Sequence, residues 1–306
     1  MRSLLVVPLL SLVAACSLFV RLDELTDGSS GGLDGAVAQP PGLDASPAPN
    51  EASTPDPTPD AASPLADSGS SSYRDLVLSH APLGYWRLGD RSGETAVDET
   101  GFEHPGLYYG GYELGVPGLR SGDTAARFNG SSACVYVGNF FQFANRVSFS
   151  VEAWIKPTSF DDGARIVSTE GPGGGIRRGW NLMYNSPGEP FFEGWLDDGS
   201  GESQYVIGVY SDQGAGGPIA LGEWSHLVAT FETTEESIWI DGELRGRFTQ
   251  STLSLPDEAN FAIGCGGDGT GSITSGVHGD LAEIAVYDRV LSEQQIKAHH
   301  ALGKSP

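Results

Sequence analysis

Four large aromatic residues fall close together in the second half of the chain. Trp180, Tyr184, Trp195 and Tyr205 are interleaved with the short polar side chains Asn181, Asn185, Asp197 and Gln204. Tryptophan and tyrosine offer a flat apolar face and one polar group. Amides and carboxylates add directional donors and acceptors. That mixture suits a sugar, whose C–H faces stack on rings and whose hydroxyls need partners. Residues 180–210 therefore form the first candidate for carbohydrate binding, with Trp180, Tyr184, Trp195, Asp197, Gln204 and Tyr205 as contact residues. The alternative for each ring is a place in the core, because a large β-domain buries several.

Carboxylates supply the second set of candidates. Asp98 and Glu99 sit in the polar turn Val97-Asp98-Glu99-Thr100-Gly101. Calcium is held by several oxygens from one loop region, and these two side chains are the donors expected for it. Otherwise they are solvated turn carboxylates. No EF-hand spacing occurs. Glu189, Glu193 and Asp197 recur every four residues, which on a strand does not build one rigid site. A glycosidase needs two carboxylates facing each other across a groove. Residues 73–306 hold no Gly-x-Ser-x-Gly elbow, and a spaced His/Cys set for zinc is missing. The loop Glu170–Gly175 has no Lys-Ser/Thr ending and is not a phosphate loop. His226 lies inside a strand-like run and reads as a packed imidazole.

The elements that must position these groups are mostly strands. Val147, Phe149, Val151, Ala153 and Ile155 alternate with Ser148, Ser150, Glu152 and Lys156, and Pro157 closes the run. This is a period of two, expected for a strand with one buried face. Trp154 falls on the polar side, to be covered by a loop or left exposed. Similar runs are Ala125–Phe128, Ala133–Val137, Trp224–Phe231 and Leu281–Tyr287. Asn129-Gly130 and Asp241-Gly242 are hairpin signals. Residues 89–119 read as a long turn-rich stretch. One helix is expected, near Leu291–His299, with Ser292 and Gln295 at capping-box spacing. About a dozen strands with 43 glycines in the chain favour an all-β body of two packed antiparallel sheets.

The charge excludes one partner class. The chain has 40 acidic and 17 basic side chains, a net charge of −23. Nucleic acid, which requires a basic stripe, is not an expected partner.

The ends of the chain differ from its middle. Residues 1–16, MRSLLVVPLLSLVAAC, read as an export signal. Val13-Ala14-Ala15-Cys16 resembles a bacterial lipoprotein signal box. That resemblance implies cleavage before Cys16 and lipidation of its thiol, giving a lipid anchor. With Ser17 next, it implies sorting to the outer membrane of a Gram-negative cell. Residues 17–72 are rich in Pro, Ala, Ser and Asp and read as a disordered tether. Residues 73–306 are the folded domain. Acylation of Cys16 would leave Cys134 and Cys265 as an even pair in an exported chain, so a disulfide between them is expected. The alternative is two separate buried thiols.

The ordered series YWRLGD, ARFNGSSACVYV, FSVEAWIKP, WSHLVATF, IWIDGEL, FAIG and GDLAEIAVYDRVLSEQQI resembles the laminin G-like domains of the concanavalin A-like lectin/glucanase superfamily. It runs from about Tyr73 to His300. The resemblance implies a jelly-roll sandwich of two curved antiparallel sheets. It implies binding of carbohydrate or of a cell-surface or extracellular protein, often with calcium nearby. The superfamily also contains glycosidases and lyases. The family's acidic pair in the last strand here reads Ala282 and Glu283, which departs from the pattern. The expected function is an exported lipoprotein that binds carbohydrate in adhesion or polysaccharide recognition. The alternatives are a protein-binding or structural lipoprotein, and a polysaccharide hydrolase or lyase.

Overall fold

The run FSVEAWIKP lies at the centre of the domain, and both layers assemble around it. The computed structural model describes residues 72–143, 148–170, 179–197, 203–210, 218–249, 260–267 and 273–305, with backbone alone for 170, 195–197, 203–210, 267 and 273–274. The expected leader, Cys16 and the tether up to residue 71 lie outside the described residues, as does the glycine-rich loop 171–178.

In chain order the elements are α1 (Tyr73–Ser79), β1 (Gly84–Trp86), β2 (Thr95–Ala96), β3 (Gly106–Tyr109), β4 (Tyr112–Pro117), β5 (Thr124–Asn129) and β6 (Cys134–Gly138). Next come β7 (Ser148–Pro157), β8 (Ala164–Glu170), β9 (Gly179–Asn185), β10 (Glu189–Asp197), β11 (Ser203–Tyr210) and β12 (Ser225–Glu232). The chain continues through β13 (Glu235–Ile240), β14 (Glu243–Thr249), β15 (Asn260–Ile263), β16 (Gly266–Gly267), β17 (Ile273–Thr274), β18 (His278–Tyr287) and α2 (Glu293–Gly303). The first sheet runs β14-β13-β12-β7-β18-β5-β4, with β1 also on β18. The second runs β11-β10-β9-β8-β15-β6-β3-β2, and β16 and β17 make a small separate ribbon. Every pairing is antiparallel, so the fold is the expected jelly-roll sandwich.

Alternation places the core. Phe149, Val151, Ala153 and Ile155 of β7 meet Trp180, Leu182 and Tyr184 of β9 and Phe261 and Ile263 of β15 in one apolar cluster between the sheets. The other face of β7 departs from the expectation of a polar surface. Ser150, Glu152 and Trp154 are also fully buried, because α1 and α2 lie over that side of the first sheet. Helix α1 is a second difference, since only the C-terminal helix was expected. Ser72 caps it by accepting from the Asp75 N–H, and Tyr73 and Val77, four residues apart, point into the sheet. Such a short helix holds only by packing. The capping box of α2 forms as expected, with Ser292 and Gln295 bonded reciprocally. Gly303 lets α2 approach closely: a Cβ there would fall 2.3 Å from the Trp154 ring.

The turn signals divide. Asp241-Gly242 closes the β13–β14 hairpin, with Ile240 opposite Glu243 and positive φ at both turn residues. Asn129-Gly130 instead carries the chain from one sheet to the other, because β5 and β6 belong to different sheets. The Asn129 carboxamide oxygen accepts from the N–H groups of Ser131, Ser132 and Ala133 and shapes that crossing. The stretch 89–119, read as turns, holds β2, β3 and β4. Cys134 and Cys265 form the expected disulfide, with Cα atoms 5.3 Å apart. On the chain-entropy account, a loop of this order stabilises by up to about 4–5 kcal/mol.

Under the helices lies a buried carboxylate. Glu152 accepts from the Tyr287 hydroxyl at 2.5 Å and contacts His226 Nε2 at 3.0 Å and His299 Nδ1 at 2.8 Å. His299 Nε2 then meets His80 Nδ1 at 2.8 Å, joining α2 to the end of α1. Burial alone would raise the Glu152 carboxyl, but His299 and His226 outweigh it and hold it well below the usual carboxylate range. Burial would lower His299, and Glu152 outweighs that and raises it. Burial, then the neighbouring His299, lowers His80. A depressed carboxylate contributes stability that is present above its unfolded value and lost as pH falls through its folded one. A raised histidine contributes stability that is complete below its unfolded value and lost as pH rises through its folded one. The Glu152–His299 pair therefore stabilises most in mildly acidic to neutral solution. Urea unfolding of Glu152→Gln is expected to show a loss of about 3–5 kcal/mol near neutrality, together with a weaker fall in stability on acidification than the parent shows.

Candidate functional site

The structure separates the six residues first nominated for a sugar site. Trp180 is 0 % exposed, donates from Nε1 to the Phe141 carbonyl at 3.0 Å, and packs against Phe143, Phe149 and Phe261. Tyr184 is also fully buried. Its hydroxyl donates to the Ser159 carbonyl, and burial pushes it up to about 12. Both rings belong to the core and present no face to a ligand, which corrects the sequence expectation. The physical reason is their position on β9. They alternate with Asn181 and share the inward face with Leu182. In the backbone of β10 and β11, Trp195 stands opposite Tyr205, Leu196 opposite Gln204 and Asp197 opposite Ser203. The side chains of Trp195, Asp197, Gln204 and Tyr205 lie outside the described residues.

The carboxylates nominated for calcium are taken by protein donors. Asp98 accepts from the N–H groups of Tyr85, Thr100 and His104 at 3.0–3.1 Å and from the Thr100 hydroxyl at 2.8 Å. Four hydrogens converge on it where a cation needs oxygens, so this donor set does not fit calcium. Asp98 instead fixes the turn against β1. Glu99 is ion-paired with Arg74 at 2.6 Å. In the last strand, Glu283 accepts from Arg87 Nη2 at 3.0 Å and from the Tyr85 hydroxyl, and Asp280 accepts from Arg127 Nε at 2.7 Å. Glu193 is buried and accepts from the Asn181 amide at 3.0 Å. No group of three or more metal-binding side chains occurs among the described residues.

Exposed aromatic surface lies elsewhere, on β3 and β6 of the second sheet. Gly106 and Tyr108 of β3, with Val135 and Val137 of β6, face inward. Leu107, Tyr109 and Tyr136 alternate with them and are 38 %, 49 % and 42 % exposed. Leu107 stands directly opposite Tyr136, and Tyr109 opposite Cys134. The register makes Tyr109 and Tyr136 diagonal neighbours on adjacent strands, and partial burial, then Tyr109, raises the Tyr136 hydroxyl. The exposed Ser131 and Ser132 precede β6 in the crossing turn, where Ser132 accepts from the Gly111 N–H and from the Asn129 amide. The same outer-face row continues through Ala262 and Ser168 to the buried Asn181–Glu193 pair. The signal for this platform was present in GLYY and CVYVG, where an exposed residue alternates with a buried one. The surrounding Gly and Pro hid it.

The comparisons agree with this architecture. The description of the concanavalin A-like lectin/glucanases superfamily matches residues 129–297. Domain 4 of an extracellular arabinanase from Geobacillus stearothermophilus, solved in complex with arabinotriose, aligns with a TM-score of 0.52 at 17 % identity, over 71 % of this chain and 97 % of that one. Trypanosoma rangeli sialidase in complex with sialic acid aligns with a TM-score of 0.51 at 18 % identity, over 71 % of this chain and 32 % of that one. The binding domain of botulinum neurotoxin DC aligns with a TM-score of 0.51 at 14 % identity, over 76 % of this chain and 52 % of that one. At these identities the likeness is one of fold. The comparison with curated proteins finds no match. With more than half of its length matched and both sheets in place, the chain belongs to the concanavalin A-like lectin/glucanase superfamily.

Proposed function

We propose that this domain binds carbohydrate through the outer face of β3 and β6, and that a lipid on Cys16 tethers it outside the cytoplasm. The observation that carries the binding reading is the pair of neighbouring exposed phenols, Tyr109 and Tyr136, with Leu107 beside them. Rings held on adjacent strands are pre-ordered, so stacking costs little further side-chain entropy. Their hydroxyls, with Ser131 and Ser132 nearby in sequence, supply hydrogen-bonding groups at the edge. The similar arabinanase domain solved with arabinotriose supports the class of ligand, without assigning residues.

The anchor reading is supported by the apolar leader and Val13-Ala14-Ala15-Cys16. Ser17 favours the outer membrane of a Gram-negative cell as the destination. The Cys134–Cys265 disulfide suits an oxidising compartment outside the cytoplasm. More than one acyl chain holds such a protein stably, since each buried methylene contributes about 0.8 kcal/mol. In adhesion or polysaccharide recognition, residues 17–72 would serve as the spacer between membrane and domain.

The test is a glycan array probed with the mature chain, with calcium and with a chelator. Selective binding that survives chelation is expected, and Tyr136→Ala should weaken it by roughly tenfold or more. Asp98→Asn should lower thermal stability with or without calcium. Calcium-dependent binding that Asp98→Asn abolishes would restore the metal reading, and no retained glycan would overturn the carbohydrate reading. For the anchor, cells expressing Cys16→Ser should release the chain into the detergent-free soluble fraction. Retention of that variant in the membrane fraction would contradict lipidation at this residue.

A further inference from the structure

The exposed surface on β3 and β6 continues beyond both strands. Among the described residues, nine large hydrophobic side chains are exposed, and six of them belong to this region: Val97, Phe102, Leu107, Tyr109, Tyr136 and Phe140. Single exposed apolar residues are ordinary, but a continuous row of them marks a binding surface. The register orders the row. Thr95 stands opposite Leu107, which places Val97 one step further along, level with Pro105. Phe140 follows the end of β6, its N–H bonded to the Gly138 carbonyl, and its ring centroid lies 4.4 Å from that of His104. The Phe102 ring centroid lies 6.4 Å from that of His104. From Gly106 to Tyr109 the strand advances three positions, about 10 Å at a strand's rise, and Phe102, His104 and Phe140 add ring surface beyond its start.

We infer that this row takes an interior stretch of an extended, uncharged polysaccharide rather than a single sugar or a chain end; the inference rests on the carbohydrate reading above. Extent is the first reason, since aromatic contacts that continue past the end of the strand pair match a repeating ligand. Openness is the second. The residues between and beside the rings, Thr95, Pro105, Gly110 and Gly111, are themselves exposed, so among the described residues these leave the ends open. Charge is the third. Residues 92–119 and 128–145 contain no Lys or Arg, while Glu94, Glu99, Glu103 and Glu113 lie among them. Glu99 is paired with Arg74 and Glu113 with Arg127, which leaves the exposed Glu94 and Glu103 as excess negative charge that selects against uronate or sialylated chains.

Affinity electrophoresis of the mature chain through gels containing xylan, galactomannan, arabinan or mixed-linkage glucan, and through gels containing alginate or polygalacturonate, tests this. At least one neutral polymer should retard the chain, and the anionic polymers should not. Titration with di- to hexasaccharides of that polymer should show affinity rising by roughly tenfold or more with length, in keeping with several independent contacts. Tyr109→Ala and Phe102→Ala, at the two ends of the row, should each weaken the hexasaccharide and leave the disaccharide less affected. Both side chains are exposed, so melting curves of the variants should match the parent. A disaccharide that binds as well as the hexasaccharide, or retardation by anionic polymers alone, would overturn this inference and leave carbohydrate binding standing. No retardation in any gel together with an empty glycan array would overturn both. A concentration-dependent dimer in sedimentation velocity that Tyr136→Ala abolishes would assign the row to self-association instead.

Discussion

A single buried carboxylate, Glu152, holds the layers of this domain in order. It sits on the central strand β7 with no exposure to solvent, and it receives Tyr287 from β18, His226 from β12 and His299 from α2. An unpartnered charge in that position would be costly, so its donors must arrive together. His80 extends the set to the end of α1. The two helices that carry the domain's first and last elements are thereby fastened to one face of the first sheet, with Trp154 packed beneath them and its Nε1 bonded to the Tyr73 hydroxyl.

That fastening divides the molecule's surfaces. The first sheet has apolar layers on both faces, the inter-sheet core on one and the helices on the other. The second sheet shares the inter-sheet core, and along β3 and β6 its outer face remains open. The chain enters the domain at α1, on the opposite side of the sandwich from the Tyr109–Tyr136 platform. On the proposed reading, the residues that recognise ligand are separate from the buried histidine and carboxylate set that holds the helices to the first sheet.

The sequence was most informative where local patterns also had tertiary support. The strand at β7, the Asp241-Gly242 hairpin, the Ser292–Gln295 cap and the superfamily resemblance all carried through to the structure. It was least informative where the same local pattern serves two outcomes. Trp180 and Tyr184 looked like a platform because they are aromatic and interleaved with amides, yet strand alternation turns both inward. Glu152 looked solvated because it alternates with apolar residues, and only the helices added by distant parts of the chain bury it. Asn129-Gly130 forms a tight turn either within a hairpin or between sheets. Asp98 looked available to a cation, but its ligands are backbone N–H groups that no residue-type pattern reveals. Strands β3 and β4 were obscured by glycines that the close approaches there require: a Cβ on Gly106 would fall 2.3 Å from Val135.

The central claim is that recognition occurs on β3 and β6. Hydrogen–deuterium exchange of the mature chain, with and without the neutral oligosaccharide that binds best, tests it at the level of segments. Slower exchange confined to residues 106–109 and 134–140 on ligand addition is the result this account predicts. Protection at residues 179–210 with none on β3 and β6 would contradict it, and would return the site to the stretch first suggested by its aromatic spacing.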